Sequence, residues 1–307
     1  MSSLFRSIIG GIELRVESSD PLELVDDYRY REFLNCQPLY GPVEILPVTI
    51  RNGDEPPTDL KPIFDSGEAW NLLADSLRRR IRFQPSQYAQ PLWVADFHRD
   101  VRAATVCVSN AFRSNPSAAL LNPVCYPLDM NLIMYRLAVD GDMIIHAGGA
   151  IIHDRGLLCA GCSGAGKSTI LNQITRACGE KAGLSEDRIV VRHVSGEPCM
   201  YGTPWLGSGG ICHNRRHTLD ALVFPVKSSE NAVRRISRDA AMERLLPVVS
   251  VPWFDRDTLN PILDGIGILV DSVPAWEARF SLDGGIVAHL ESIAKTIPGT
   301  VSRTRAE

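Results

Sequence analysis

The chain of 307 residues contains no run of eighteen apolar residues, so no membrane-spanning helix is expected. Its opening, MSSLFRSIIGGIELRVESSD, has an apolar stretch too short for a secretory signal, and Gly, Glu and Arg interrupt it. Positive charge is not in excess. Lys and Arg number 32 against 36 Asp and Glu, a net charge of −4, which argues against a non-specific nucleic-acid binder. Neither nucleic acid nor membrane is therefore expected as a partner. No internal repeat or low-complexity tract occurs. The eight cysteines include one C-x-x-C pair, Cys159 and Cys162 in CAGC, without the second pair or histidines that a metal site needs. Reduced thiols and a cytoplasmic location follow as expectations.

What is present is ordinary globular material. Hydrophobic residues make up 45% and charged residues 22%. The length suits one large domain or two ordinary ones. Residues 5–17 and 42–51 read as strands, and 52–62, rich in Pro, Gly and acids, as a loop. The spacing of Trp70, Leu73, Leu77 and Ile81 predicts a helix over 68–83. Its arginines, Arg78, Arg79, Arg80 and Arg82, would lie near the helix C-terminus, where cations suit the dipole, and read as a solvated face rather than an anion-docking patch. Segments 92–97 and 103–110 read as strands, and a helix is expected from Pro127 to Gly141.

The second half is more regular. Strands are expected at 143–152 and 156–161, joined by a turn at 153–156. A helix over 167–179 should end at Gly179. Further strands are expected within 182–194, at 219–227 and within 273–285, and helices at 238–249 and 286–297. Residues 197–207 read as turn-rich. The whole reads as mixed α/β.

Between the strand at 156–161 and the helix at 167–179 lies GCSGAGKST, residues 161–169. It matches the full Gly-x-x-x-x-Gly-Lys-Ser phosphate-loop pattern in its required strand–loop–helix setting. Glycines let backbone N–H groups close on phosphate oxygens, and the helix start adds the positive end of its dipole. The Lys167 ammonium reaches the outer phosphates, and the Ser168 hydroxyl can bind Mg²⁺. The cofactor-binding residues are thus Gly161, Ser163, Gly164, Ala165, Gly166, Lys167, Ser168 and Thr169, with ATP and Mg²⁺ as the expected cofactors. A bound metal also needs a carboxylate nearby. Glu186 and Asp187, in LSEDRIVV, supply the candidates beside Ser168, although an acidic pair at a strand edge can equally be solvated. His146 alone would read as a core histidine. Arg215 and Arg216, in HNRRH, are the candidates for an arginine that stabilises charge on a transferred phosphoryl group, although they read first as flexible surface residues. His213 and His217 lack the Glu of the zinc-hydrolase pattern, with Asn214 in its place. Tyr201, Thr203 and Trp205 either line an acceptor pocket or cap the core.

The stretch HAGGAIIHDRGLLCAGCSGAGKST…LSEDRIVV, by its motif order, resembles the HPr kinase/phosphorylase family, which shares its phosphate loop and fold with phosphoenolpyruvate carboxykinase. The resemblance covers roughly residues 130–297. It implies a phosphate-loop core of mixed β-sheet with flanking helices over 131–307, preceded by a smaller α+β region over 1–130 that selects substrate or mediates assembly. It also implies roles. His146 matches the family's active-site His, Lys167 its loop Lys, and Ser168 its Mg²⁺-binding hydroxyl. Asp187 matches the catalytic base, and Glu186 replaces the first Asp of the family's pair. The chain departs from the family at Cys162, where the family usually has Asp, and it lacks a downstream Arg-Gly-Leu-Gly-Ile segment. Its YGTPWLGSGG (201–210) is closer to HPr-kinase-like proteins, including serine kinases of peptide-modification pathways.

The implied function is an ATP-dependent kinase, with Asp187, His146 and Lys167 as the catalytic residues. Its acceptor would be a hydroxyl, first a serine of a protein or peptide. A small metabolite such as free serine or a sugar is the second reading, and an ATPase or nucleotide switch that transfers nothing is the third. The family assembles as oligomers, so a homo-oligomer is compatible with the resemblance, with no subunit count fixed.

Overall fold

The computed structural model describes residues 3–24, 26–113, 115, 118–207 and 209–297. The chain divides into two compact units. The first holds residues 1–143 and 251–263, and the second holds 144–250 and 264–307.

The first unit is built on an eight-stranded sheet. Its strands are β1 (Ser3–Ile9), β2 (Ile12–Ser18), β4 (Glu44–Asn52), β5 (Lys61–Asp65), β6 (Trp70–Ala74), β7 (Arg78–Phe83), β8 (Trp93–His98) and β9 (Ala104–Val108). They lie in the order β1-β2-β4-β9-β8-β7-β6-β5. Two short strands, β3 (Leu22–Glu23) and β10 (Leu120–Leu121), pair separately in parallel. Helix α1 (Leu128–Val139) buries Leu128, Leu132, Ile133, Tyr135 and Leu137. The expected division at 130/131 falls inside this helix.

The helix expected over 68–83 is absent; its residues form the β6–β7 hairpin. The apolar spacing fitted both periods, and the turn decided between them. The Asp75 carboxylate accepts from the backbone N–H groups of Leu77 and Arg78 at 2.8 and 2.7 Å, which closes a tight turn where a helix would continue. Register then sets Trp70 opposite Phe83 and Leu72 opposite Ile81.

The arginines are accordingly not a solvated helix face. Arg80 is buried and grips Asp96, its cross-strand neighbour, at 2.6 and 2.8 Å. Arg79 is 3% exposed, and all five of its N–H donors are engaged. They serve both oxygens of Asp255, the Asp257 carboxylate, and the carbonyls of Asp75 and Arg78. This pair secures the returning segment 251–263 to β7 within the same unit.

The second unit holds β11 (Met143–Ile152, from Ile144 onward), β12 (Arg155–Ala160), β13 (Gly183–Ser185), β14 (Arg188–Val194), β15 (Glu197–Tyr201), β16 (Arg216–Lys227), β17 (Ala232–Arg235), β18 (Val249–Ser250) and β19 (Ala275–Phe280). The main path runs β12-β11-β14-β15-β16-β19-β17, and β16 also pairs with β12 in parallel. Strands β12, β11, β14, β15 and β16 therefore close a ring of pairings. Residues 197–201, expected as part of a turn-rich stretch, are strand β15. Its helices are α2 (Lys167–Cys178), α3 (Arg238–Leu245), α4 (Arg256–Ser272, of which residues to Leu263 belong to the first unit) and α5 (Ile286–Thr296). Ile170, Leu171 and Ile174 of α2 and Ile286, Leu290 and Ile293 of α5 join Leu157, Cys159, Val223 and Phe280 of the sheet in one core. The chain is thus mixed α/β. No helix among the described residues is long and apolar enough to cross a membrane.

The Arg79–Asp255 pair generates a stability prediction. Asp255→Ala strands a buried guanidinium and should cost about 3–5 kcal/mol, read as a lowered urea midpoint. A loss below about 1 kcal/mol would show that the pair does not hold the segment.

Candidate functional site

The glycine-rich stretch spans the turn from β12 into α2, a strand–loop–helix arrangement. Two local demands shape it. Gly166 caps α2 at φ +106°, in the left-handed region, and a Cβ there would come 2.2 Å from the Phe280 ring. Its carbonyl still accepts the first helical bond, from Ile170 N–H at 3.0 Å. At the crown, Cys162, Ser163 and Gly164 are exposed, and Ser168 and Thr169 are half-buried on the first turn of α2.

Lys167 is 6% exposed and donates from Nζ to the Cys162 carbonyl at 3.1 Å. Its ammonium thus lies within the loop. Burial pulls its pKa down; Asp187 opposes this and the Arg188 charge reinforces it.

Asp187 follows β13 and immediately precedes β14. Its backbone carbonyl accepts from Ala147 N–H of β11 at 3.1 Å, and Gly161 N–H donates to the carbonyl of the neighbouring His146 at 3.4 Å. The loop and the acid are therefore tied to adjacent residues of one strand. His146 Nε2 meets Asp187 Oδ1 at 3.0 Å, and Arg188 donates to Oδ2 at 2.8 Å. Burial pushes the Asp187 carboxyl up, but His146, Arg188 and Lys167 outweigh it and hold the group below its ordinary 3.8. His146 is thus no inert core histidine.

Glu186 is buried. Its Oε1 accepts from the N–H groups of Gly209 and Gly210, the latter at 2.9 Å, while Oε2 is buried without a partner among the described residues. A Cβ at residue 209 would lie 1.9 Å from Glu186 Oε2, so the carboxylate would have to shift to admit one. No group of three or more His, Cys, Asp or Glu side chains among the described residues is arranged to hold a metal ion.

Other candidates fall elsewhere. Arg215 donates to the Lys181 carbonyl, and Arg216 begins β16. Thr203 is fully buried and donates to the Arg188 carbonyl at 2.7 Å; Trp205 is 3% exposed. Both pack in the interior. Tyr201, on β15, is buried as well. Burial pushes the Cys159 thiol up to about 12, while Cys162 is exposed, which gives the C-x-x-C pair two unlike environments. Sequence reasoning missed Arg188 and the bonds of Gly209 and Gly210 to Glu186. The signal was adjacency: Arg188 directly follows the acidic pair.

No protein-family model matches the chain, and no curated protein matches it. Among solved structures, the HPr(Ser) kinase/phosphatase from Coxiella burnetii is similar over 50% of this chain and 88% of that one, at 13% identity and a TM-score of 0.29. A likeness of that size fixes neither fold nor function.

The lowered pKa of Asp187 predicts a pH signature. Its contribution to stability is complete above the unfolded value near 3.8 and is lost as pH falls through the lower folded value. Asp187→Asn should be less stable than the wild type near neutral pH, and the gap should close in acid below 3.8. A gap unchanged by pH would show that the ionised carboxylate is not what is held.

Proposed function

We propose that the second unit is an ATP-dependent phosphotransferase acting on a hydroxyl, with a serine of a protein or peptide as acceptor. The observation that carries this reading is one cluster. A buried lysine inside a glycine-rich loop stands within electrostatic reach of a carboxylate gripped by a histidine.

The residues present fit a nucleoside triphosphate and its cation. Gly161 and Ser163–Thr169 would hold the phosphates with backbone N–H groups, the start of α2 and the Lys167 ammonium. Ser168 and Asp187 would hold Mg²⁺, which keeps most of its ligands as water and phosphate and needs few from the protein. ATP supplies the phosphoryl group. The chain's own residues do the positioning. Asp187, ionised at neutral pH, accepts the proton of the acceptor hydroxyl. His146, through Nε2 on Oδ1, fixes the carboxylate's direction. Lys167 offsets negative charge as it shifts among the phosphate oxygens. The motif order HAGG…GCSGAGKST…SED, shared with the HPr-kinase-like proteins, supports the same roles.

A macromolecular acceptor is favoured by exposure. The loop crown at Cys162, Ser163 and Gly164 is open, and the Asp187 side chain is 27% exposed, so a serine carried on a larger surface can approach.

The test uses ATP labelled on its γ-phosphate. The protein, Lys167→Ala and Asp187→Asn are each incubated with cell extract, and label is separated by molecular size. The reading predicts label on a protein or peptide with the wild type and none with either variant, while Asp187→Asn retains ATP binding. Label in a small organic molecule would transfer the reading to a metabolite kinase. Label only in inorganic phosphate, or full transfer by Asp187→Asn, would overturn it.

A further inference from the structure

Arg188 and Arg79 are both arginines bound to an aspartate, yet their engagement differs. Arg79 is saturated: its Nε and one terminal nitrogen clasp the two oxygens of Asp255, and every remaining donor has a partner. Arg188 uses a single terminal nitrogen, which donates to Asp187 Oδ2 at 2.8 Å and to the Asp187 carbonyl at 3.1 Å. Its Nε–H and its other terminal nitrogen have no partner among the described residues, and neither is buried. The side chain is 27% exposed. These two groups form the same side-on fork that at Arg79 holds a carboxylate. An Arg fork matches two oxygens of a carboxylate or a phosphate.

The setting selects between those anions. Arg188 is bonded to Asp187, and both act electrostatically on the buried ammonium of Lys167, so the site sets two cations against one carboxylate. Keeping like charges close is unfavourable unless an anion joins them. The backbone of Arg188 is fixed: its carbonyl accepts from the fully buried Thr203 hydroxyl at 2.7 Å. The fork is thus anchored at its base and open at its tip. Arg215 already donates to the Lys181 carbonyl.

We propose that Arg188 reads the outermost phosphate of the bound nucleotide, its open fork taking two oxygens of that group while its remaining nitrogen stays on Asp187. The inference rests on the phosphotransferase reading. Lys167 and the start of α2 serve the loop, whereas Arg188 is bonded to the residue that faces the acceptor hydroxyl. The phosphate that meets the acceptor is the terminal one. Arg188 would then distinguish a triphosphate from a diphosphate.

Calorimetric titration with ATP and with ADP, each with Mg²⁺, tests this in the full-length wild type and in Arg188→Gln. Loss of a charge-assisted fork should weaken ATP about tenfold or more and ADP less than about twofold. Arg188→Lys, which keeps the charge without the fork, should lie between. It also decides the matter if Arg188→Gln fails to fold. Equal weakening of both nucleotides, or no change for ATP, would overturn the role of Arg188 and leave the nucleotide site standing. Failure of the wild type to bind either nucleotide would remove the phosphotransferase reading, and this inference with it.

Discussion

Adjacent residues of one strand, His146 and Ala147 of β11, hold the glycine-rich loop on one side and the acidic residue on the other. Gly161 N–H reaches the His146 carbonyl, and Ala147 N–H reaches the Asp187 carbonyl. Neighbouring Cα atoms of a chain are about 3.8 Å apart, so these bonds leave little freedom in the distance between loop and acid. The ladder beyond them keeps the strand in place. β12 pairs with β11 from Ala147–Ala160 outward, and Ser185 of β13 pairs with Gly149. The same strand supplies the His146 ring that meets Asp187. Loop, acid and histidine are therefore consequences of a single register. A one-residue slip would turn the His146 side chain to the other face.

Electrostatics then distinguishes this place from the rest of the molecule. In the first unit, Arg79 and Arg80 are buried against carboxylates and backbone carbonyls that occupy both sides of each guanidinium. Such pairs hold structure and offer nothing to a ligand. Around Asp187 the arrangement is incomplete. One carboxylate serves His146 and Arg188 and lies within reach of Lys167, whose nearest hydrogen-bond partner is only a backbone carbonyl. A fixed cluster with cationic excess in a partly enclosed setting suits an anion, because its dipoles and charges need no reorganisation when one arrives.

Much of the site was legible because its chemistry is local. Within GCSGAGKST, Gly166 answers a requirement of its own turn, and the flanking strand and helix appear where the apolar periods place them. The helix at 128–139 and the stop at Gly179 follow the same logic. Legibility failed where distant partners decide. The 68–83 segment carries a helical spacing, but Asp75 closes a turn and Asp96 and Asp255 draw its arginines into a sheet. Helix α4 contains Pro261, Gly265 and Gly267, which hide its period, and it had no expectation attached. Beyond its adjacency to the acidic pair, Arg188 carries no short-range signal, since its exposed fork is visible only once all donors are accounted for. The bonds from Gly209 and Gly210 to Glu186 cross more than twenty residues, and no short pattern announces them.

The central claim is that the loop from Gly161 to Thr169 closes around nucleotide phosphates. Cys162 offers a direct probe, because its thiol is exposed on that loop, while Cys178, exposed at the far end of α2, serves as a control. Alkylation of each thiol is followed by mass spectrometry with and without ATP and Mg²⁺. The account predicts that nucleotide slows the reaction at Cys162 alone, and that Lys167→Ala abolishes the protection. Equal alkylation of Cys162 with and without ATP would contradict it.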